Sequence, residues 1–290
     1  TTEIYTLSLH DALPIYEGRR RLMQFVQNVP FFSIMLSMVC GILSAMLPRR
    51  AAKWLVVGLS AVVLGLNIWL LYFLSASGQS YTYMMGHFPA PWGNELRAGP
   101  LEALTAVILS VVMLLSVLGG LHKLEEQVDV KKQHLFYVML DLALAALMAL
   151  IYTNDLFTAY VFIEILTLVS CTLIMARQVG HTMVAAMRYM IMSLVGSGLL
   201  LLAIALLYDL TGHLLMENIH ASLAKLVKTG EYSIPITVII GLFCVGLGIK
   251  SGLFPFHTWL PDAYGYSTPA ASSVLSSIIS KSYIILLLKI

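Results

Sequence analysis

Charge is what this sequence has least of. Only 11% of its 290 residues are Asp, Glu, Lys or Arg, against about 25% in a soluble domain. Hydrophobic residues make up 59% and the mean hydropathy is +0.87, which excludes a soluble globular chain and implies a polytopic membrane protein. A net charge of +2 without an extended basic stretch gives no support to a nucleic-acid partner. The three cysteines, Cys40, Cys171 and Cys244, stand singly in apolar segments. With no CxxC, neither a metal site nor a disulfide framework is expected. There is no HExxH, no paired histidine cluster and no nucleophile–base arrangement, so neither a catalytic centre nor a cofactor is expected in this chain. GLGIKSG at 246–252 is neither GxGxxG nor a GxxxxGKS/T loop, and it lies in an apolar run, which excludes a phosphate site. The methionines show no clustered spacing and read as packing and lipid-facing residues.

What is present is apolar length. Eight segments approach the roughly 20 apolar residues that a bilayer requires, so the expected fold is all-α and polytopic. The first six cover Pro30–Leu47, Trp54–Leu74, Leu101–Leu121, Leu135–Tyr152, Leu156–Met175 and Met183–Leu210. A seventh starts near Pro235 and breaks after Lys250; an eighth runs from Pro269, capped by Thr268, to near Lys289. The polar stretch 75–100 predicts a small hairpin on the membrane face. Within Leu214–Val227, Leu215, Ile219, Leu223 and Leu226 share one helical face, which predicts an interfacial helix. Loops after the odd-numbered spans hold eight Lys or Arg against three in the alternate loops, which favours the first set being cytoplasmic once the N-terminal tail is discarded.

Both ends are expected not to be natural. TLSLHDALPI at 6–15 resembles the conceptual translation of a common sequencing adapter, and Arg19–Arg21 can be encoded by a ribosome-binding sequence just ahead of Met23. Residues 1–22 thus read as a non-native segment, with translation starting at Met23; a short, basic N-terminal tail is the other reading. Ile290 closes the chain directly after an apolar helix, so a longer protein is expected. The remaining chain divides into 23–133, with three spans and the hairpin, and 134–290, with the other five.

Inside the spans four ionisable residues stand out: Asp141, Glu164, Lys250 and Lys281. A lysine near the middle of a membrane helix costs about 2.5–3.5 kcal/mol on insertion scales, so its default reading is functional. Burial favours the neutral amine and a nearby carboxylate favours the ammonium, so such a pair is a proton switch; a static buried ion pair that fixes packing is the other reading. Gly248, Gly252, Pro255 and Pro261 flank Lys250 and break its helix, freeing backbone groups that only protein or trapped water can satisfy. His257 either relays a proton between the two lysines, as imidazoles ionise near neutrality, or hydrogen-bonds the freed carbonyls. Asp141 is an accessory candidate, either a packing residue with a local partner or a further proton carrier. Ser193, Gly196, Ser197 and Gly198 predict close helix packing.

Lys250, the following PFHTWLPDA at 255–263, and Lys281, 31 positions after the first lysine, together carry a family resemblance. They resemble the antiporter-like subunits of respiratory complex I, of Mrp-type sodium/proton antiporters and of membrane-bound hydrogenases. The resemblance implies the first half of an inverted-repeat fold with a discontinuous seventh helix. It pairs Glu164 with Lys250 and continues the row to Lys281. It further implies translocation of protons or sodium ions in a prokaryotic cell membrane. The partners it implies are other antiporter-like and small membrane subunits, with hydrogenase or quinone-reductase subunits as candidates. A non-transporting scaffold that anchors redox partners is the alternative.

Overall fold

The computed structural model describes residues 25–84, 94–230 and 232–290; the expected start at Met23, the 1–22 segment and the tip of the hairpin lie outside them. Eight spans long and apolar enough to cross a membrane are present among the described residues. In chain order come α1 (Val29–Met46), α2 (Arg49–Ser77), strands β1 (Tyr81–Met84) and β2 (Glu95–Ala98), α3 (Pro100–Gln127), α4 (Gln133–Tyr152) and α5 (Leu156–Ile174). Then follow α6 (Gly180–Thr211), the short α7 (Met216–Thr229), α8 (Ser233–Ser251), α9 (Leu260–Tyr266), α10 (Pro269–Val274) and α11 (Ser280–Lys289). The last span is α10 and α11 joined by a wide π turn over Leu275–Ile279.

The expected helices differ from these chiefly at their ends. α2 starts at Arg49 because Pro48, in extended backbone, supplies the stop and the start together. α3 runs on through His122–Gln127, which the sequence suggested as a charged linker. No breaker interrupts it, and Glu125 meets Lys53 of α2 at 2.8 Å. Thr268 caps α10 as expected, its hydroxyl accepting from the Ala271 amide at 3.2 Å. The hairpin is present: β1 and β2 pair antiparallel, Tyr81 opposite Ala98 and Met84 opposite Glu95.

α4 is the enclosed helix at the centre. Every residue from Ala143 to Tyr152 is buried, and α1, α2, α3, α5 and α11 pack around it. The small side chains of Ala143, Ala145, Ala146 and Ala149 let those neighbours approach, as membrane packing requires. Polar side chains tie the layer further. Asn67 of α2 donates to Ser110 of α3 at 3.0 Å and accepts from the Tyr152 hydroxyl of α4 at 2.8 Å. Interhelical bonds of this kind contribute about 0.6 kcal/mol each on average. At one end of α4 the Lys289 ammonium, from the last residue of α11, donates to the carbonyls of Ile151 and Thr153 at 2.9 and 2.7 Å. A cation there satisfies carbonyls that a helix end leaves open.

α6 and α8 cross at the closest backbone approach that bears on the site. A Cβ added to Gly196 would lie 2.9 Å from the Gly246 carbonyl, and one added to Gly246 would lie 3.0 Å from the Gly196 carbonyl. Lys250 follows Gly246 by about one helical turn, so this contact sets where its side chain begins.

Candidate functional site

Glu164 on α5 and Lys250 in the last turn of α8 meet inside the helix bundle. The Lys250 ammonium nitrogen is 3.1 Å from Oε1 of Glu164 and donates to Oγ1 of Thr167 at 2.9 Å. Thr167 lies three residues beyond Glu164, so both acceptors stand on one face of α5. Its own hydroxyl proton goes to the Ile163 carbonyl at 2.9 Å, which leaves lone pairs toward the lysine. From α6, Ser197 reaches the same Glu164 oxygen at 2.5 Å and also the Ser193 carbonyl at 2.9 Å. One hydroxyl proton cannot serve both acceptors fully, so Ser197 is a two-position donor to the carboxylate.

The pair is asymmetric in its exposure. The Lys250 side chain is 0% accessible, whereas that of Glu164 is 28% accessible. The acid therefore borders space that the amine does not. Lys250 also lies much farther from the start of α8 than Glu164 does from the start of α5. They touch because the helices are staggered and a lysine side chain leans toward its helix N-terminus.

The helix break falls at Gly252. Its φ of +71° is left-handed, and Leu260 packs 2.5 Å from where a Cβ would be. Gly248, expected as a break residue, is helical instead. Its carbonyl closes the final turn by accepting from the Leu253 amide at 2.9 Å. A cis Phe254–Pro255 peptide follows, then a tight turn over His257–Trp259. Pro261 opens α9, where a missing amide proton is harmless.

Trp259 fills the role expected of His257 at the broken end. Its buried indole donates to the Ile249 carbonyl at 3.2 Å and packs edge-on against Tyr189 of α6 at 4.9 Å. His257 is exposed and stacks on Phe254 at 5.7 Å, away from the contacts that define the Glu164–Lys250 pair. Lys281 is exposed on the outer face of α11, and no described carboxylate forms an ion pair with it. The residue of α11 that faces the pair is Tyr283, which is 1% accessible and directs its hydroxyl toward Thr167 and Tyr189. Thr167, Ser197, Tyr189 and Tyr283 are the site residues that sequence reasoning missed. Ser197 was noted only for packing; the others carry no charge to mark them.

Asp141 lies apart from this group, on α4. Its Oδ2 accepts from Ser44 of α1 at 2.6 Å, and its Oδ1 has no partner among the described residues. An uncompensated carboxylate in such a place costs several kcal/mol. An asparagine keeps the acceptor for Ser44 and carries no charge. Asp141→Asn is therefore expected to accumulate in the membrane at wild-type level or above, whereas Asp141→Leu, which strands the Ser44 hydroxyl, should lower it by about 1–3 kcal/mol of stability. Quantitative blotting of membranes after mild heating measures both.

Residues 153–290, which hold all of this except Asp141 and Ser44, match the NADH:quinone oxidoreductase/Mrp antiporter transmembrane family. An NADH-quinone oxidoreductase subunit of Desulforudis audaxviator is 34% identical over 205 residues, covering 70% of this chain and 40% of that protein. A Na(+)/H(+) antiporter subunit of Bacillus subtilis is 30% identical over 194 residues, covering 67% of this chain and 38% of its own length. A polypeptide of the Mrp complex from a Dietzia species superposes with a TM-score of 0.79 at 21% identity, covering 91% of this chain and 48% of the other. This chain thus spans less than half the length of each. A match that contains the paired side chains, the broken helix and the last span, together with a fold shared over nearly the whole chain, establishes that this multi-pass membrane chain belongs to the NADH:quinone oxidoreductase/Mrp antiporter family.

Proposed function

We propose that the chain works as an antiporter-like subunit of a multi-subunit membrane complex and translocates protons or sodium ions, with the Glu164–Lys250 pair as its switching group. The observation that carries this reading is the pair's asymmetry: a fully enclosed amine held at 3.1 Å by a carboxylate that is itself partly accessible. Enclosure favours neutral lysine and the carboxylate favours the ammonium. Movement of the carboxylate therefore sets whether Lys250 keeps or gives up its proton. Ser197 offers the means, since it donates to the very oxygen that faces the lysine and can turn that proton to the Ser193 carbonyl instead.

Ions move in relatives whose names say so: the Bacillus subtilis relative is a Na(+)/H(+) antiporter subunit. Carried over to this chain, the implied partners are other antiporter-like and small membrane subunits, with quinone-reductase or hydrogenase subunits as candidates. Lys281 extends the reading outward. An ammonium on an exposed helix face within a span needs a partner, because bare lipid penalises it. The row from Glu164 through Lys250 would continue from Lys281 to whatever covers α11.

The test uses the assembled complex in vesicles. Lys281→Arg keeps the charge but holds its proton at all accessible pH. It should assemble normally and transport on the order of a hundredfold less, the lower end of what a positioned proton-transfer group contributes. Wild-type flux in that variant would remove Lys281 from the path and leave the Glu164–Lys250 pair to be judged alone.

A further inference from the structure

The uncharged side of the pair carries a second feature. Tyr189 of α6 and Tyr283 of α11 are both 1% accessible, and neither hydroxyl makes a hydrogen bond of full geometry with a described residue. Burying a hydroxyl without a partner is costly in an apolar setting, and here two stand together. They face each other, and the side chains of Thr167, Ser170 and Ser193 surround the Tyr189 hydroxyl. Thr167 and Ser170 spend their own protons on the Ile163 and Leu166 carbonyls, at 2.9 and 2.6 Å. Their lone pairs are left toward the tyrosines. Thr167 is also the acceptor of the Lys250 ammonium. The tyrosines are thus proton donors set among acceptors, one residue removed from the lysine.

Resting on the translocation reading above, we propose that the Tyr189 and Tyr283 hydroxyls relay the proton that Lys250 releases, carrying it from α8 to α11. The hand-over is balanced at each step. An N–H bond of the ammonium breaks as an O–H bond forms on Thr167, whose own proton turns from the Ile163 carbonyl to a tyrosine oxygen. Each tyrosine oxygen releases its original proton to the next, and the last passes to water at the exposed face of α11. No hydroxyl keeps a net charge, and Lys250 is left as the neutral amine. The relay assigns to Tyr283 the link to α11 that its exposed neighbour Lys281 does not make directly. Trp259, edge-on against Tyr189, ties the relay to the broken helix.

Phenylalanine removes the hydroxyls and keeps both rings, including the contact with Trp259. In the assembled complex in vesicles, Tyr189→Phe and Tyr283→Phe should each assemble and lose flux on the order of a hundredfold, the lower end of what a positioned proton-transfer group contributes. The double variant should lose little more than either alone, as expected of groups in one chain. Wild-type flux in the double variant would overturn the relay. Lys250→Ala in the same vesicles separates the two claims: if it too retains flux, the translocation reading fails, and if it alone is dead, only the relay fails. Should a Phe variant accumulate poorly, 3-fluorotyrosine at position 283 keeps the ring and hydroxyl but makes the hydroxyl more acidic. The solvent deuterium isotope effect on flux should then change, and an unchanged isotope effect would again overturn the proposal.

Discussion

Lys250→Ala is expected to bring ion flux through the assembled complex to background, because it deletes the group proposed to carry the proton. Glu164→Gln should lower flux by about a hundredfold, since the carboxylate proposed to reload the lysine is gone. Adding Glu164→Gln to Lys250→Ala should then change almost nothing, because two groups that act as one unit are not additive. Losses that instead multiply in the double variant would show independent roles and end the coupled-pair mechanism. Accumulation supplies the other arm. Removing one member of a buried ion pair costs about 3–5 kcal/mol when the pair is purely structural, since the remaining charge is stranded. Ser197, Thr167 and the partial exposure of Glu164 give each survivor a polar partner, so both single variants should still reach the membrane. Flux at several pH values and a blot for assembled protein read the two arms together.

The second large effect is steric. Gly246→Val places a branched side chain where a Cβ alone would lie 3.0 Å from the Gly196 carbonyl and 3.2 Å from the Leu200 amide. Backbone atoms cannot turn aside as a flexible side chain can, so α6 and α8 must separate. Overpacking of this kind costs about 1–3 kcal/mol, and here it also moves Lys250 away from the α5 acceptors. The expected result is poor accumulation, with the surviving protein inactive. Gly241→Ala is the control on the same helix: its added Cβ meets nothing within 4 Å, so normal accumulation and flux are expected. Equal damage from both would mean that α8 tolerates no added side chain in this region, and the crossing of Gly246 with Gly196 would lose its special place.

Much of the fold was legible because membrane spans announce themselves by length. The eight spans, the short amphipathic helix and the hairpin all follow from hydropathy and turn residues. The charged pair was legible for a related reason: a lysine and a glutamate inside such spans need each other or water. What spacing could not reveal was facing. His257 and Lys281 have the right chemistry for a row, yet both side chains are exposed. Trp259 holds the carbonyl at the broken end because its indole is buried there and the imidazole is not. Uncharged donors were missed for want of any sequence signal that separates Thr167 or Tyr283 from dozens of packing residues. The family's motifs did bring the right stretch forward, since the break at Gly252 lies beside Lys250 as they imply.

The π turn at Leu275–Ile279 has a consequence for how such genes can drift. Such a turn holds roughly one residue more than an α turn, and each α-helical residue advances the face by about 100°. Counting in regular steps from Pro269 therefore aims every later side chain about a quarter-turn wrong. The surplus residue also makes this the one place in the last span where a codon is spare. Losing one within 275–279 would tighten the turn to an ordinary one and leave Ser280 through Lys289 aimed as they are now. The same loss anywhere in α11 beyond Ser280 would swing the residues after it to new faces, parting Tyr283 or Lys289 from the groups it faces.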